Sequence, residues 1–86
     1  MAVKHRKTVY GIGCITEKET RPGYRYLYAE WSDGGIHFYK SCGNAADPKS
    51  RRRAMGVLRK AALDRMADLQ TEIERLRAAL ESEEDG

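Results

Sequence analysis

Disulfide, metal and catalytic signatures are all scarce in this chain of 86 residues. It has two cysteines, Cys14 and Cys42, neither in a CxxC pair, and two equally isolated histidines, His5 and His37. No zinc-type ligand spacing results, so neither a metal nor another cofactor is expected. The thiols are read as core residues, because no spacing ties either one to a histidine as a nucleophile would require. Both cysteines fall in the outer strands of the meander described below, and a bridge between them is the alternative to free thiols. Tyr10-Gly11-Ile12-Gly13-Cys14 lacks the third glycine of a dinucleotide loop, and no strand–loop–helix unit follows it. No catalytic residue is therefore assigned, and the chain is read as non-enzymatic. Long apolar runs are also missing: nothing approaches the ~20 residues that span a bilayer. The basic start Met1-Ala2-Val3-Lys4-His5-Arg6-Lys7 has no apolar core after it, so no signal peptide is expected. These absences point to a cytoplasmic location with reduced thiols, nucleoid-associated if the partner is DNA, and to no membrane contact.

A single domain of this length buries only ~60% of its unfolded surface and is marginal as a lone monomer. Without disulfides or metals, self-association is the expected supplement. Charge is unevenly spread. Residues 1–60 hold 13 Lys and Arg against 5 Asp and Glu, while residues 61–86 hold 3 against 8, within a total of +3. The basic part suits a polyanion, and the acidic tail would be repelled by one; an ordinary solvated surface is the bland alternative.

The predicted fold class is α+β: a three-stranded antiparallel β-meander, then one long C-terminal helix. Residues 1–7 read as a basic arm. Residues 8–16 form a β-rich run broken by Gly11 and Gly13. A polar segment from Glu17 ends in the turn pair Pro22-Gly23. Residues 24–31 and 36–42 are the next strands, joined by Asp33-Gly34, a strong hairpin signal. With those two residues as the loop, Trp31 faces Ile36, Ala29 faces Phe38 and Leu27 faces Lys40 on an apolar face. Glu30 then meets His37, Tyr28 meets Tyr39 and Tyr26 meets Ser41 on a tyrosine-rich one.

Asp47-Pro48 starts a helix, as N-cap and first helical residue. The predicted helix, 48–83, is roughly 54 Å long, against ~20–25 Å for the strands. Its stripe Met55, Leu58, Ala62 and Met66 is expected to pack on the sheet. Beyond a stutter near Ala62, Met66, Leu69, Ile73, Leu76 and Leu80 form a heptad seam, the expected interface of a coiled-coil-like homodimer. Glu72 and Arg77 are placed to pair across a parallel dimer; an antiparallel one, or a helix folded back on its own domain, also fits the pattern.

The candidate nucleic-acid-binding residues are Lys4, Arg6 and Lys7 of the arm, Arg25 among Tyr24, Tyr26, Tyr28 and Tyr39, and Lys49, Arg51, Arg52 and Arg53 of the helix start. Lys and Arg supply sequence-independent attraction to phosphate; tyrosines add stacking or a hydroxyl to phosphate. Cations in a helix's first turn oppose its dipole, which hints at an anionic partner; the alternative is that they are solvated and cost little. The segment Tyr24-Arg25-Tyr26-Leu27-Tyr28-Ala29-Glu30-Trp31-Ser32-Asp33-Gly34-Gly35, between basic arm and helix, resembles small sheet-plus-helix DNA-binding modules. Such modules are the N-terminal domains of phage-type integrases and some small archaeal chromatin proteins. That resemblance implies a sheet face entering a DNA groove; the long acidic helix departs from it. The expected function is a dimeric, largely sequence-tolerant, architectural or regulatory binder of double-stranded DNA. The alternative is a protein–protein adaptor or inhibitor, such as a small phage counter-defence protein, with the tyrosine face as its hot spot.

Overall fold

The computed structural model describes residues 8–84, and the arm cations Lys4, Arg6 and Lys7 lie outside that range. Three antiparallel strands, β1 (Gly13–Arg21), β2 (Tyr24–Asp33) and β3 (Ile36–Asn44), form one sheet in the order β1-β2-β3. The helix α1 (Pro48–Glu84, 37 residues) follows. Asp47 caps it, its Oδ1 accepting the Lys49 N–H at 2.9 Å, with Pro48 first in the helix. That satisfies one of the amides a helix start leaves free.

The first strand lies later in the chain than the β-rich run 8–16 suggests. Tyr10 (φ 51) and Gly11 (φ 67) turn the chain back, so that Val9 pairs with Gly13 before β1 begins. The polar segment from Glu17, expected as a loop, is instead the outer half of β1, which no helix covers and which therefore needs no apolar residues. The Pro22-Gly23 turn forms as expected, Gly23 adopting φ 84.

The hairpin register is corrected by two residues. The loop is Gly34-Gly35, so Asp33 pairs with Ile36, Trp31 with Phe38, Ala29 with Lys40 and Tyr28 with Ser41. A two-residue type I′ loop needs positive φ at both positions, which Gly34 (58°) and Gly35 (80°) supply without cost. Asp33 stays in the strand and takes Arg65 of α1 as an ion-pair partner. Because the shift is even, the faces are retained: Ala29, Trp31 and Phe38 stay on the helix side. Cys42, two residues beyond Lys40, is on that side too, at a bulge where the pairing passes from Tyr28–Ser41 to Leu27–Gly43.

The core lies between sheet and helix: Ala29, Cys42, Ala54 and Leu58, flanked by Val9, Ile12, Ile15, Trp31 and Val57. The sheet-facing stripe of α1 is Ser50, Ala54 and Leu58, with Val57 and Ala61 beside it; of the expected Met55, Leu58, Ala62 and Met66, only Leu58 belongs to it. Small residues let the backbones approach. A Cβ on Gly13 would sit 2.9 Å from Leu58 Cδ2, and one on Gly43 (φ 117) 2.6 Å from Ser50 Oγ. Bulky Met55 and Met66 would hold the helix off at those points.

Beyond Arg65 the helix leaves the sheet. Leu69, Ile73, Leu76 and Leu80 are all exposed, with Met66 and Leu80 each at 64%. The molecule measures 67 × 32 × 17 Å with a radius of gyration of 18.3 Å. A compact chain of this length would have about 12 Å. At 3.6 residues per turn, the seam from Met66 to Leu80 is rotated about a quarter turn from the sheet-facing stripe. The seam therefore continues along one flank of α1 rather than along its buried side.

Candidate nucleic-acid interface

The sheet's uncovered face is built around a carboxylate. Strand alternation puts Thr16, Lys18, Tyr26, Tyr28, Glu30 and Tyr39 on that face, with His37 at its edge. Glu30 is only 9% exposed there. The Thr16 hydroxyl donates to its Oε2, and His37 Nε2 lies 3.1 Å and Lys18 Nζ 3.7 Å from its Oε1. Ser32 Oγ sits 3.4 Å from the other imidazole nitrogen of His37. The Thr16 hydrogen bond is the main reason the Glu30 carboxyl is held below its ordinary pKa. The His37 contact and the Lys18 charge add to it, and burial opposes it. Lys18 also lies 5.3 Å over the Tyr28 ring and 5.9 Å from that of Tyr39. Its charge is thus engaged within the face. Tyr24 carries Arg21 over its ring at 5.1 Å.

The helix surface is different. Between Asp47 and Asp64 there is no carboxylate in the sequence, and six cations: Lys49, Arg51, Arg52, Arg53, Arg59 and Lys60. All six are exposed. Among the described residues only Lys60 has an acidic partner, Asp64 at 3.4 Å. They spread over both flanks. Arg51, Arg52 and Arg59 line a groove with Tyr10 and Met55 on the β1 side. Arg53 and Lys60 line another with Lys40 and Cys42 on the β3 side. The first turn holds no acidic residue and the last turn no basic one, so side-chain charge and helix dipole have the same sense at both ends.

The structure thus sorts the sequence-predicted residues into separate groups. Tyr24, Tyr26, Tyr28 and Tyr39 do share one face; Tyr39, at 67%, is the most exposed of them, and its ring centroid is 6.5 Å from that of Tyr28. Arg25 projects from the other face, where its guanidinium is 4.0 Å from Glu17. Lys49, Arg51, Arg52 and Arg53 lie on the helix, across the sheet from the tyrosines. Sequence reasoning missed Arg59, Lys60 and Lys40. The first two were visible in principle: Arg59 is one heptad beyond Arg52, and Lys60 one beyond Arg53, so each continues a flank. Lys40 needed the register.

Among the described residues no group of three or more His, Cys, Asp or Glu could hold a metal ion, and no helix is long and apolar enough to cross a membrane. Cys14 and Cys42 are free thiols on different faces of the sheet. Comparison with known proteins finds no matching family model, no matching curated protein and no matching solved structure.

Proposed function

We propose that this protein is a non-enzymatic, homodimeric binder of double-stranded DNA, largely indifferent to sequence, which meets phosphates through the first half of α1. The observation that carries the reading is the segment 48–63, with six exposed cations and no carboxylate, at the helix end whose dipole is also positive. Lys40 extends this field onto β3, and the acidic second half of α1 leads away from it. Exposed Lys and Arg, five of the six without an acidic partner among the described residues, are what counterion release requires, and they carry no base readout, hence the sequence tolerance. The dimer is carried by Met66, Leu69, Ile73, Leu76 and Leu80, which no part of the described chain covers.

The test is a titration of generic duplex at two salt concentrations. Affinity should fall steeply with salt. Changing Arg51, Arg52 and Arg53 together to Gln should weaken binding on every sequence. It should also lower the salt slope by up to ~0.9 for each phosphate that the variant leaves unneutralised. Absence of binding at low salt would overturn the reading. It would favour a protein partner on the sheet's open face, where Tyr24 and Tyr39 are more than half exposed.

A further inference from the structure

We infer that the exposed seam of α1 is covered by a second copy of this chain running antiparallel, with the twofold axis level with residue 71. This rests on the dimeric part of the proposed function and specifies how that dimer is built.

Such an axis sets Leu69 against the partner's Ile73, Met66 against the partner's Leu76, and Ala62 against the partner's Leu80. The next position outward sets Arg59 against the partner's Glu83. Each layer occurs twice, so one register satisfies every seam residue from 59 to 83. A shift of one heptad either way puts Glu83 against Met66, or Arg59 against Leu76, and buries a charge against an apolar side chain. The antiparallel sense also opposes the two helix dipoles. It brings the acidic end, Glu81, Glu83 and Glu84, alongside the carboxylate-free segment of the partner. A parallel pair gains Glu72–Arg77 contacts. It also stacks Arg59 on Arg59, and it aligns both dipoles and both basic segments at one end.

The shape of the monomer agrees. On the β1 flank of α1, the flank to which the seam rotates, two open grooves follow one another along the helix. One, of about 420 Å³, is lined by Tyr10, Ile12, Ala62, Arg65, Met66 and Leu69 together with backbone of the β2–β3 turn. The other, of about 550 Å³, is lined by Tyr10, Met55, Arg51, Arg52 and Arg59. In this register the first receives the partner's Leu76 and Leu80, and the partner's acidic helix end reaches the second, cationic one at Arg59, since Glu84 stands level with residue 58. The helix side of the first groove, Ala62, Met66 and Leu69, thus meets the partner's apolar seam, and Arg59 meets its acidic end. The overlap of 59–83 spans roughly 37 Å at 1.5 Å per residue.

Charge reversal tests the pairing with dimer affinity as the readout, measured by analytical ultracentrifugation on the full chain. Arg59→Glu and Glu83→Arg should each weaken the dimer roughly five- to tenfold, since each creates two like-charge pairs. The double variant Arg59→Glu with Glu83→Arg should recover most of the wild-type affinity. A parallel dimer keeps Arg59 and Glu83 apart, so it would leave the affinity unmoved by either change and show no recovery; that result overturns the inference while the dimer stands. A wild-type chain that is monomeric at tens of micromolar would overturn the dimer itself. DNA binding is measured separately, so its failure is distinguishable from both.

Discussion

Replacing Glu30 by Gln tests how the open face of the sheet is held together. In the folded chain the carboxylate accepts from Thr16 and sits beside His37 and Lys18, and only 9% of the residue is exposed. Hydrogen bonds to a charged acceptor are each worth about 1.5–3 kcal/mol. Lys18 and His37 are themselves about half exposed, so water screens part of this. Gln keeps one acceptor oxygen but loses the charge, and its NH₂ replaces the acceptor that faces either Thr16 or the His37 and Lys18 pair. A loss of about 1–2 kcal/mol at neutral pH is expected, in urea denaturation followed by Trp31 fluorescence. The sign with pH follows from linkage: a carboxyl whose folded pKa lies below its unfolded value binds its proton more readily when unfolded. Its contribution is complete above the unfolded value of about 4.3 and is lost as pH falls through the lower folded value. The gap between wild type and Glu30→Gln should therefore be flat at neutral pH and close on acidification below about 4.3. Equal stabilities at pH 7, or a gap that widens in acid, would refute the reasoning.

Leu58 is the larger of the two biggest fully buried side chains, and it fills the space left by Gly13 and Ala29, so Leu58→Ala should cost about 2–5 kcal/mol. Denaturation midpoints would check this, and a cost under about 1 kcal/mol would mean that sheet and helix close over the gap. Ile73→Glu with Leu76→Glu should convert the dimer to a monomer and lower the melting temperature. Unchanged sedimentation would move the interface off the seam.

The element order was legible because its signals are local. Pro22-Gly23 and Asp47-Pro48 act within a few residues, and a period of 3.6 persists from 48 to the acidic end. What was not legible depends on contacts far apart in sequence. The sequence Asp33-Gly34-Gly35 permits two loops of two residues, and only the pairing of Trp31 with Phe38 and of Asp33 with Arg65 selects one. The sheet-facing stripe was misplaced for a related reason. Apolar size alone suggests burial of Met55 and Met66, whereas the close approach of α1 to Gly13 and Gly43 selects Ser50 and Ala54. The strand β1 was set too early because its exposed half carries no apolar alternation at all. For the candidate site, the tyrosine face was readable from period two. The internal pairing of Lys18 with Glu30 was not, since it joins adjacent strands.

The charge layout of α1 is unfavourable for an isolated chain and becomes consistent when both proposals are taken together. Cations at the N-terminal end and carboxylates at the C-terminal end each oppose what the helix dipole prefers. An antiparallel partner improves the local balance where the helices overlap, because Arg59 and Lys60 then lie beside the partner's acidic end and an opposed dipole. The two roles need not compete for the same side chains. Arg51, Arg52, Arg59 and Met55 lie on the seam flank, facing the β1 side, but of these only Arg59 falls within the helix overlap. Arg53 and Lys60 lie on the opposite flank, where they join Lys40 at the β3 edge. Dimer formation would engage Arg59 and leave Arg51, Arg52 and the second flank open to phosphate. Residue 53 is 18 positions from the proposed axis, so the two open flanks would stand roughly 54 Å apart along the helix pair. Two modest cationic surfaces fixed at that span on one rigid rod bind a long polyanion with more avidity than either alone. A single short duplex that reaches only one of them gains nothing from the second.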